Sequence, residues 1–421
     1  MLTTFSSALS ALNADTTAID VIGNNLANLN TPGFKTSEVC FRDLVTESLG
    51  AGLGETQVGF GTGQPLTVRE FTQGAIQTSS GLLDAAVQGD GFFIVQDGAG
   101  HQLYTRAGNL QADKSGNLLT DTGFKVQGWT ALNADGTINT NGPVTNIVVP
   151  VGSLKPPSAS TTITDDLNLN SNAAADTTSD FSTPITVYDS LGTSHVLTLA
   201  FEKTGPNAWS YQVEVPGEDI TGGTAGTPFP ISGASGTLTF GTDGKLTDPA
   251  AGSPITFSIP GLTDGASDMN ITWNPYTSAG VGRITQFGQD SASSAQSQDG
   301  TPAAQLDHVG LATGGLLIAQ YTDGSQVTVG QLALASIRNP DSLIAAGNNN
   351  FELSSLTANP SIGTPGTGGR GTIQGGSVEA STVDIATEFT NLIVYQRAYE
   401  ANAHVVTTAD TLSQDTINLI H

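Results

Sequence analysis

The stretch VIGNNLANLNTPGFK, Val21–Lys35, decides how the rest of the chain is read. It closes a helical pattern in which Leu2, Phe5, Leu9, Leu12, Ile19 and Leu26 fall on steps of three and four. Thr16 and Gly23 stand at the two missing places, so the pattern is a heptad-like seam. As a helix, Thr3 to Asn28 would be roughly 39 Å long. Thr31-Pro32-Gly33 stops it. Yet its own last turns hold Gly23, Asn24, Asn25 and Asn28, all poor helix formers. Gly23 alone costs about 1 kcal/mol relative to alanine, and isolated helices are marginal. The expectation is a helix that needs partners, with Phe5, Leu9, Leu12, Ile19, Ile22, Asn24, Asn25, Leu26 and Asn28 packing between subunits. Its amides would bond laterally without carrying net charge into a bundle, and the chain ends would fold on assembly.

The opposite end carries the matching pattern. In STVDIATEFTNLIVYQRAYEANAHVVTTADTLSQDTINLI, from Ser381 onward, Ile385, Phe389, Leu392, Tyr399, Ala403, Val406 and Ile417 continue the three-four spacing. Ser381 reads as the N-cap, with Asp384 completing a variant capping box, and the helix would span roughly 60 Å. Ile385, Phe389, Leu392, Tyr399, Val406 and Ile417 are the expected inter-subunit residues here.

Between the ends the chain reads as strand and turn. GDGFFIVQDGAGHQLYTRAGNLQADKSGNLLTDTGFKVQGW alternates short apolar runs with Asp-Gly, Ala-Gly, Ser-Gly and Thr-Gly turns. A second β region follows, with PITVYDSLGTSHVLTLAFEK and SPITFSIPGL among its strands. The fold class is therefore mainly β with α-helical termini. Nested β domains, barrel or sandwich, are inserted between coiled-coil-like N- and C-terminal helices. The expected division is 1–30 plus 378–421 for the helices and 31–72 plus 356–377 for linkers. A first β domain would take 73–152 plus 288–355, and an inserted β domain 153–287. Asn359–Gly376 is dense enough in glycine to be disordered if free.

Composition narrows the function. The 421 residues carry 38 acids against 13 bases, a net charge of −25. Such a surface argues against nucleic acid and against anionic membranes, and no apolar run is long enough for membrane insertion. High like charge opposes association, so polymerisation should be helped by salt. Cys40 is the one cysteine, which rules out a disulfide within the chain and a multi-cysteine metal site. The first thirty-four residues hold no Lys or Arg, so no basic leader region is visible.

Nothing marks a catalytic, cofactor or metal site, and none is expected. His101, His195, His308, His404 and His421 are spread without ligand spacing and read as surface or turn residues. Asn133–Asn139 faintly echoes a calcium loop, but Val144 stands where the bidentate acid belongs; a β-turn at Asp135-Gly136 explains it better. Gly89–Phe93 lacks the lysine of a phosphate loop and reads as a turn before the buried strand Phe92–Val95.

NNLANLNTPGFK, Asn24–Lys35, resembles the axial proteins of the bacterial flagellum: rod, hook and hook-associated proteins. VQGDGFFIV, Val87–Val95, and Tyr104–Trp129 are similar to the first β domain of hook and distal rod proteins, and Val378–Leu419 to their shared C-terminal helix. The added β domain favours hook over rod. The resemblance implies a homopolymer of many copies, built as a flexible tubular joint that transmits torque. It implies distal rod, hook cap and hook-filament junction proteins as partners, and the flagellar type III export apparatus as the route out, without a cleaved signal. Phe5 followed four residues later by Leu9 matches the family's export-gate pattern. A distal rod subunit with an insertion, a junction or cap protein, and a secreted β-scaffold enzyme or adhesin remain as alternatives; the last would need a cleft with convergent polar groups.

Overall fold

A computed structural model describes residues 2–44, 46–48, 57–59, 61–175 and 180–418. The chain divides into two compact units. The first takes Met1–Val151, Asp307–Gln320 and Gln326–His421; the second takes Gly152–Leu306 and Tyr321–Ser325.

The first unit contains both helices, α1 (Leu2–Ala27) and α2 (Ile385–Asn418). Its β body is built around Phe92–Gln96, whose first four residues are all buried. That strand pairs with Gln102–Thr105, Lys125–Trp129 and Leu334–Ser336. Because side chains alternate across a strand, Phe93 and Val95 enter one core with Leu118, Val126, Leu317 and Leu332. Phe92 and Ile94 enter another with Tyr104, Trp129 and Phe351. Phe71, Phe92 and Phe351 meet edge to face with centroids 5.1–6.2 Å apart. The continuous run FFIV thus reflects burial on both faces. Gly91, at φ +138°, lets the chain turn into this strand.

The chain leaves the helices and returns to them along paired strands. Ala85–Gln88 pairs with Thr372–Gly375, and Ile76–Thr78 with Ser377–Glu379. Ser37–Cys40 pairs with Leu66–Arg69, and Cys40 is exposed. The glycine-rich segment before α2, expected to be disordered if free, is held by pairing. Ser361–Gly363 pairs with Leu334–Ser336. Arg370 donates to the Thr364 carbonyl at 3.1 Å and to Thr367 Oγ1 at 2.8 Å, tying the loop to itself. Backbone pairing and one guanidinium replace the core that the glycines cannot form.

The second unit is a sandwich, the choice left open by the sequence. One sheet runs Phe181–Tyr188, Ser194–Gly205, Ala208–Pro216, Pro228–Phe240 and Leu246–Asp248, each antiparallel to the next. The other centres on Thr162–Asn170, with Met269–Trp273, Ile284–Phe287 and Ala292–Gln298 beside it and Ile255–Ile259 at its edge. Thr162–Asn170 and Ala208–Pro216 bury alternate residues, and Leu169, Trp209, Phe201 and Trp273 from the two sheets share one core. Ala292–Gln298, placed by sequence with the first β domain, belongs here: its polar residues alternate too weakly to reveal that it pairs with Thr162–Asn170.

Candidate assembly surface

α1 and α2 lie antiparallel, as the cross-links show: Asn25, near the end of α1, meets Glu388, near the start of α2, and Asp15, earlier on α1, meets Asn402, later on α2. The seam that joins them differs from the one the large residues outline. On α1 the buried positions are Ala8, Ala14, Asp15, Ala18, Ile22 and Asn25. These also repeat at three-four spacing, and three of the six are alanine. On α2 the partners are Glu388, buried, and Leu392, Tyr395, Ala398, Asn402 and Val406, half-buried.

The amides are used within the chain. Asn25 Nδ2 donates to Glu388 Oε1 and to the Ser37 carbonyl, both at 2.9 Å, while its Oδ1 accepts the Ser37 N–H at 3.1 Å. Burial pushes the Glu388 carboxyl up, which the Asn25 donor opposes. Asn402 Nδ2 donates to Asp15 Oδ2 at 2.9 Å. Asn28 Nδ2 donates to the Asn24 carbonyl at 2.9 Å, holding the last turn of α1 together. The expectation of lateral amide bonds between subunits is therefore corrected for Asn25, and Ile22 likewise packs inside its own helix pair.

α2 begins at Ile385, later than Ser381 suggested. Asp384 is the residue that caps it, its Oδ1 accepting the Thr387 N–H at 2.8 Å. That backbone bond holds the Asp384 carboxyl below its usual range. Ser381 instead accepts the Val383 N–H at 3.3 Å.

The large apolar residues remain uncovered. Phe5 is 44% and Phe389 51% exposed, and Leu9, Ile385 and Tyr399 are exposed with them. Leu12, Ile19, Leu26, Leu392 and Val406 are half-buried at the edges of the seam. Sequence spacing missed Ile393, Val394, Val405 and Leu412, all exposed on α2. They fall off a single three-four track, because α2 is apolar on more than one face. Ile417 stands in the last turn of α2, and its side chain lies outside the described residues.

The helix pair is fastened to the β body by a buried ionic cluster that the sequence did not announce. Lys35, just past the Thr-Pro-Gly stop, places Nζ 2.7 Å from Glu379 Oε1, with both side chains 0% exposed. The same ammonium donates to the Thr72 carbonyl. Arg106 Nη1 reaches Glu379 Oε2 at 3.3 Å, and its Nη2 donates to the Gly89 carbonyl at 2.9 Å. Gly74 N–H also donates to Glu379 Oε1 at 2.8 Å. Burial pushes the Lys35 ammonium down, against the pull of Glu379. One carboxylate thus gathers the exit from α1, the approach to α2 and the loop at Arg106.

A chain whose two ends form one helix pair, apolar on the outside and clamped to a β body, is a subunit of an axial polymer. Comparisons with known proteins identify which one. Residues 5–35 match the model for the flagella basal body rod protein, and 86–166 that for the flagellar hook protein FlgE/F/G D1 domain. Residues 157–301 match the flagellar basal body protein FlaE D2 domain, and 374–419 the flagellar basal body rod FlgEFG protein C-terminal region. The chain is 32% identical to the flagellar hook protein FlgE of Borreliella burgdorferi, covering 100% of both chains. It is 30% identical to that of Escherichia coli, covering 99% of each. In fold it is similar to a crystal structure of Helicobacter pylori flagellar hook protein FlgE2, with a TM-score of 0.51, 16% identity, and coverage of 71% of this chain and 99% of that one. The chain belongs to the flagellar hook protein FlgE family. It is a structural subunit of the bacterial flagellar hook, which sets aside the rod and enzyme alternatives as its primary role.

Proposed function

We propose that many copies of the chain polymerise through the outward apolar residues of α1 and α2, forming a tubular joint that transmits torque while it bends. The exposed Phe5 and Leu9 on α1 and Ile385, Phe389 and Tyr399 on α2 carry this reading, because large apolar side chains left uncovered on a strongly charged chain mark interaction surfaces. The helices would then form the inner layer of the polymer, as the division expected from sequence implies. Distal rod, hook cap and hook-filament junction proteins would meet the same helical ends at the limits of the polymer. The chain would leave the cell through the flagellar type III apparatus, with Phe5 and Leu9 read at the export gate. Among the described residues no helix is long and apolar enough to cross a membrane. Its role is mechanical, with no reaction of its own.

The test is Phe389→Asp in the full chain. Negative-stain microscopy after raising the salt should show tubes for the parent and none for the variant, while the thermal unfolding of the variant monomer stays unchanged. Tubes formed equally well by both would refute the assignment of this stripe. For export, Phe5→Ala should reduce secretion more than it reduces assembly of purified protein; equal losses would leave Phe5 a packing role alone.

A further inference from the structure

We propose that the sandwich unit carries a divalent transition-metal site formed by Asp189, His195 and Asp264, with Asp219 orienting the imidazole. His195 is no surface histidine: its side chain is 5% exposed and that of Asp189 0%. Asp189 sits where the strand Phe181–Tyr188 turns back toward Ser194–Gly205. Its Oδ1 accepts the N–H groups of Leu191 at 2.8 Å and Thr193 at 2.9 Å, which fixes the carboxylate and leaves Oδ2 facing His195 Nε2 at 3.1 Å. Asp264 Oδ2 lies 3.9 Å from the same nitrogen. The three candidate ligand atoms all fall within 4.8 Å of one another.

Three observations point to a cation. First, Asp219 Oδ2 lies 3.0 Å from His195 Nδ1. A carboxylate on the far nitrogen is the arrangement that aims a histidine's other nitrogen at a metal and raises its basicity. Second, three carboxylates surround one imidazole, and among the described residues no Lys or Arg forms an ion pair with any of them. With the three carboxylates ionised, even a doubly protonated ring would leave two negative charges uncompensated beside the fully buried Asp189, which is costly. Third, the spacing suits a metal. Bonds of about 2.0–2.1 Å in a tetrahedron put ligand atoms roughly 3.3 Å apart, between the two distances observed to Nε2. A cation needs to displace only the proton between Nε2 and the carboxylates. Imidazole with carboxylates favours Zn²⁺, Co²⁺ or Mn²⁺ over Ca²⁺ and Mg²⁺, which prefer all-oxygen sets. Asp264, 25% exposed, marks the side from which the ion and its waters would enter. Bound there, the metal would join the turn after Phe181–Tyr188, the 3-10 turn Gly217–Asp219 and the loop at Asp264.

The experiment uses the full chain at low salt, stripped with EDTA and titrated with Co²⁺. Binding near one equivalent, with visible d–d absorption that Zn²⁺ abolishes and Ca²⁺ does not, is expected. Asp264→Asn should weaken Co²⁺ binding at least ten-fold, and Asp219→Asn by about ten- to hundred-fold, with the far-ultraviolet spectrum of each metal-free variant unchanged. If Asp264→Asn does not fold, Asp219→Asn decides alone, because it removes no ligand. Absence of Co²⁺ binding at millimolar concentration would overturn the proposal. So would binding that neither variant weakens; ¹⁵N shifts showing both His195 nitrogens protonated despite added Zn²⁺ would then identify the cluster as an imidazolium among carboxylates.

Discussion

At the scale of single residues, the first unit depends on groups that are costly to leave alone. Glu379, its side chain 0% exposed, is shared by Lys35, Arg106 and the Gly74 N–H. Removing one member of such a set leaves a buried charge, which typically costs 3–5 kcal/mol. Lys35→Met is expected to destabilise the first unit by about 3 kcal/mol, read as the denaturation midpoint of its β body, whereas Lys245→Met, at an exposed pair, should change nothing measurable. Asn25→Ala strands the Glu388 carboxyl and the Ser37 backbone, and about 1–3 kcal/mol is the expected loss. In the second unit the metal-free His195 sets a pH dependence. Burial alone would lower its pKa, but hydrogen bonds to Asp219 and Asp189 carry it above the ordinary 6.5. A raised folded-state value stabilises below the unfolded pKa and is lost as pH rises through the folded one. Asp189, despite burial, is held at about 2 by Asp264, His195 and two backbone N–H groups, so its contribution is lost as pH falls from 3.8 toward 2. The melting temperature of the metal-free sandwich should therefore peak between about pH 4 and 6.5 and fall above that. His195→Gln should flatten the alkaline side; an unchanged profile would mean that the imidazole is neutral throughout.

At the scale of elements, much was readable because burial leaves a period in the sequence. The expected Thr3–Asn28 helix is α1 (Leu2–Ala27) within a residue at each end, and the FFIV run is the strand buried on both faces. What spacing could not tell is which partner a face meets. The conspicuous Phe5, Leu9 and Phe389 face outward, while the helix pair closes on Ala8, Ala14 and Ala18, residues too small to register as a seam. Lys35 and Glu379 are 344 positions apart, and the three carboxylates around His195 come from three separate turns, so neither cluster leaves a local signal. The start of α2 was misplaced because Ser381 and Asp384 are both good caps, and only the backbone decides that Asp384 serves. The division of faces is testable. Ala18→Leu overpacks the inner seam and should cost about 1–3 kcal/mol of monomer stability. Phe389→Asp should leave the monomer intact and stop assembly. If the two variants exchanged phenotypes, the inner and outer faces would have been assigned the wrong way round.

At the scale of the whole molecule, two properties oppose each other: an apolar helical surface that favours association and a net charge of −25 on every copy. Bringing like-charged copies together is penalised over a distance set by the Debye length, about 30 Å at 0.01 M salt and 8 Å at 0.15 M. The apolar contact acts only at contact distance and is little affected by this change. Assembly of the purified chain should therefore be slow at low ionic strength and should accelerate steeply as sodium chloride approaches 0.15 M. Beyond that, further screening has little left to remove and the rate should level off. Sulfate, which strengthens apolar burial as well as screening, should continue to accelerate assembly past that point. Light-scattering lag times in the two salts at matched ionic strength separate the effects. Equal lags throughout would mean charge alone limits assembly. A lag that lengthens with sodium chloride would mean that subunits are held by ion pairs across their interface, and the apolar stripe on α1 and α2 would no longer be the surface that joins them.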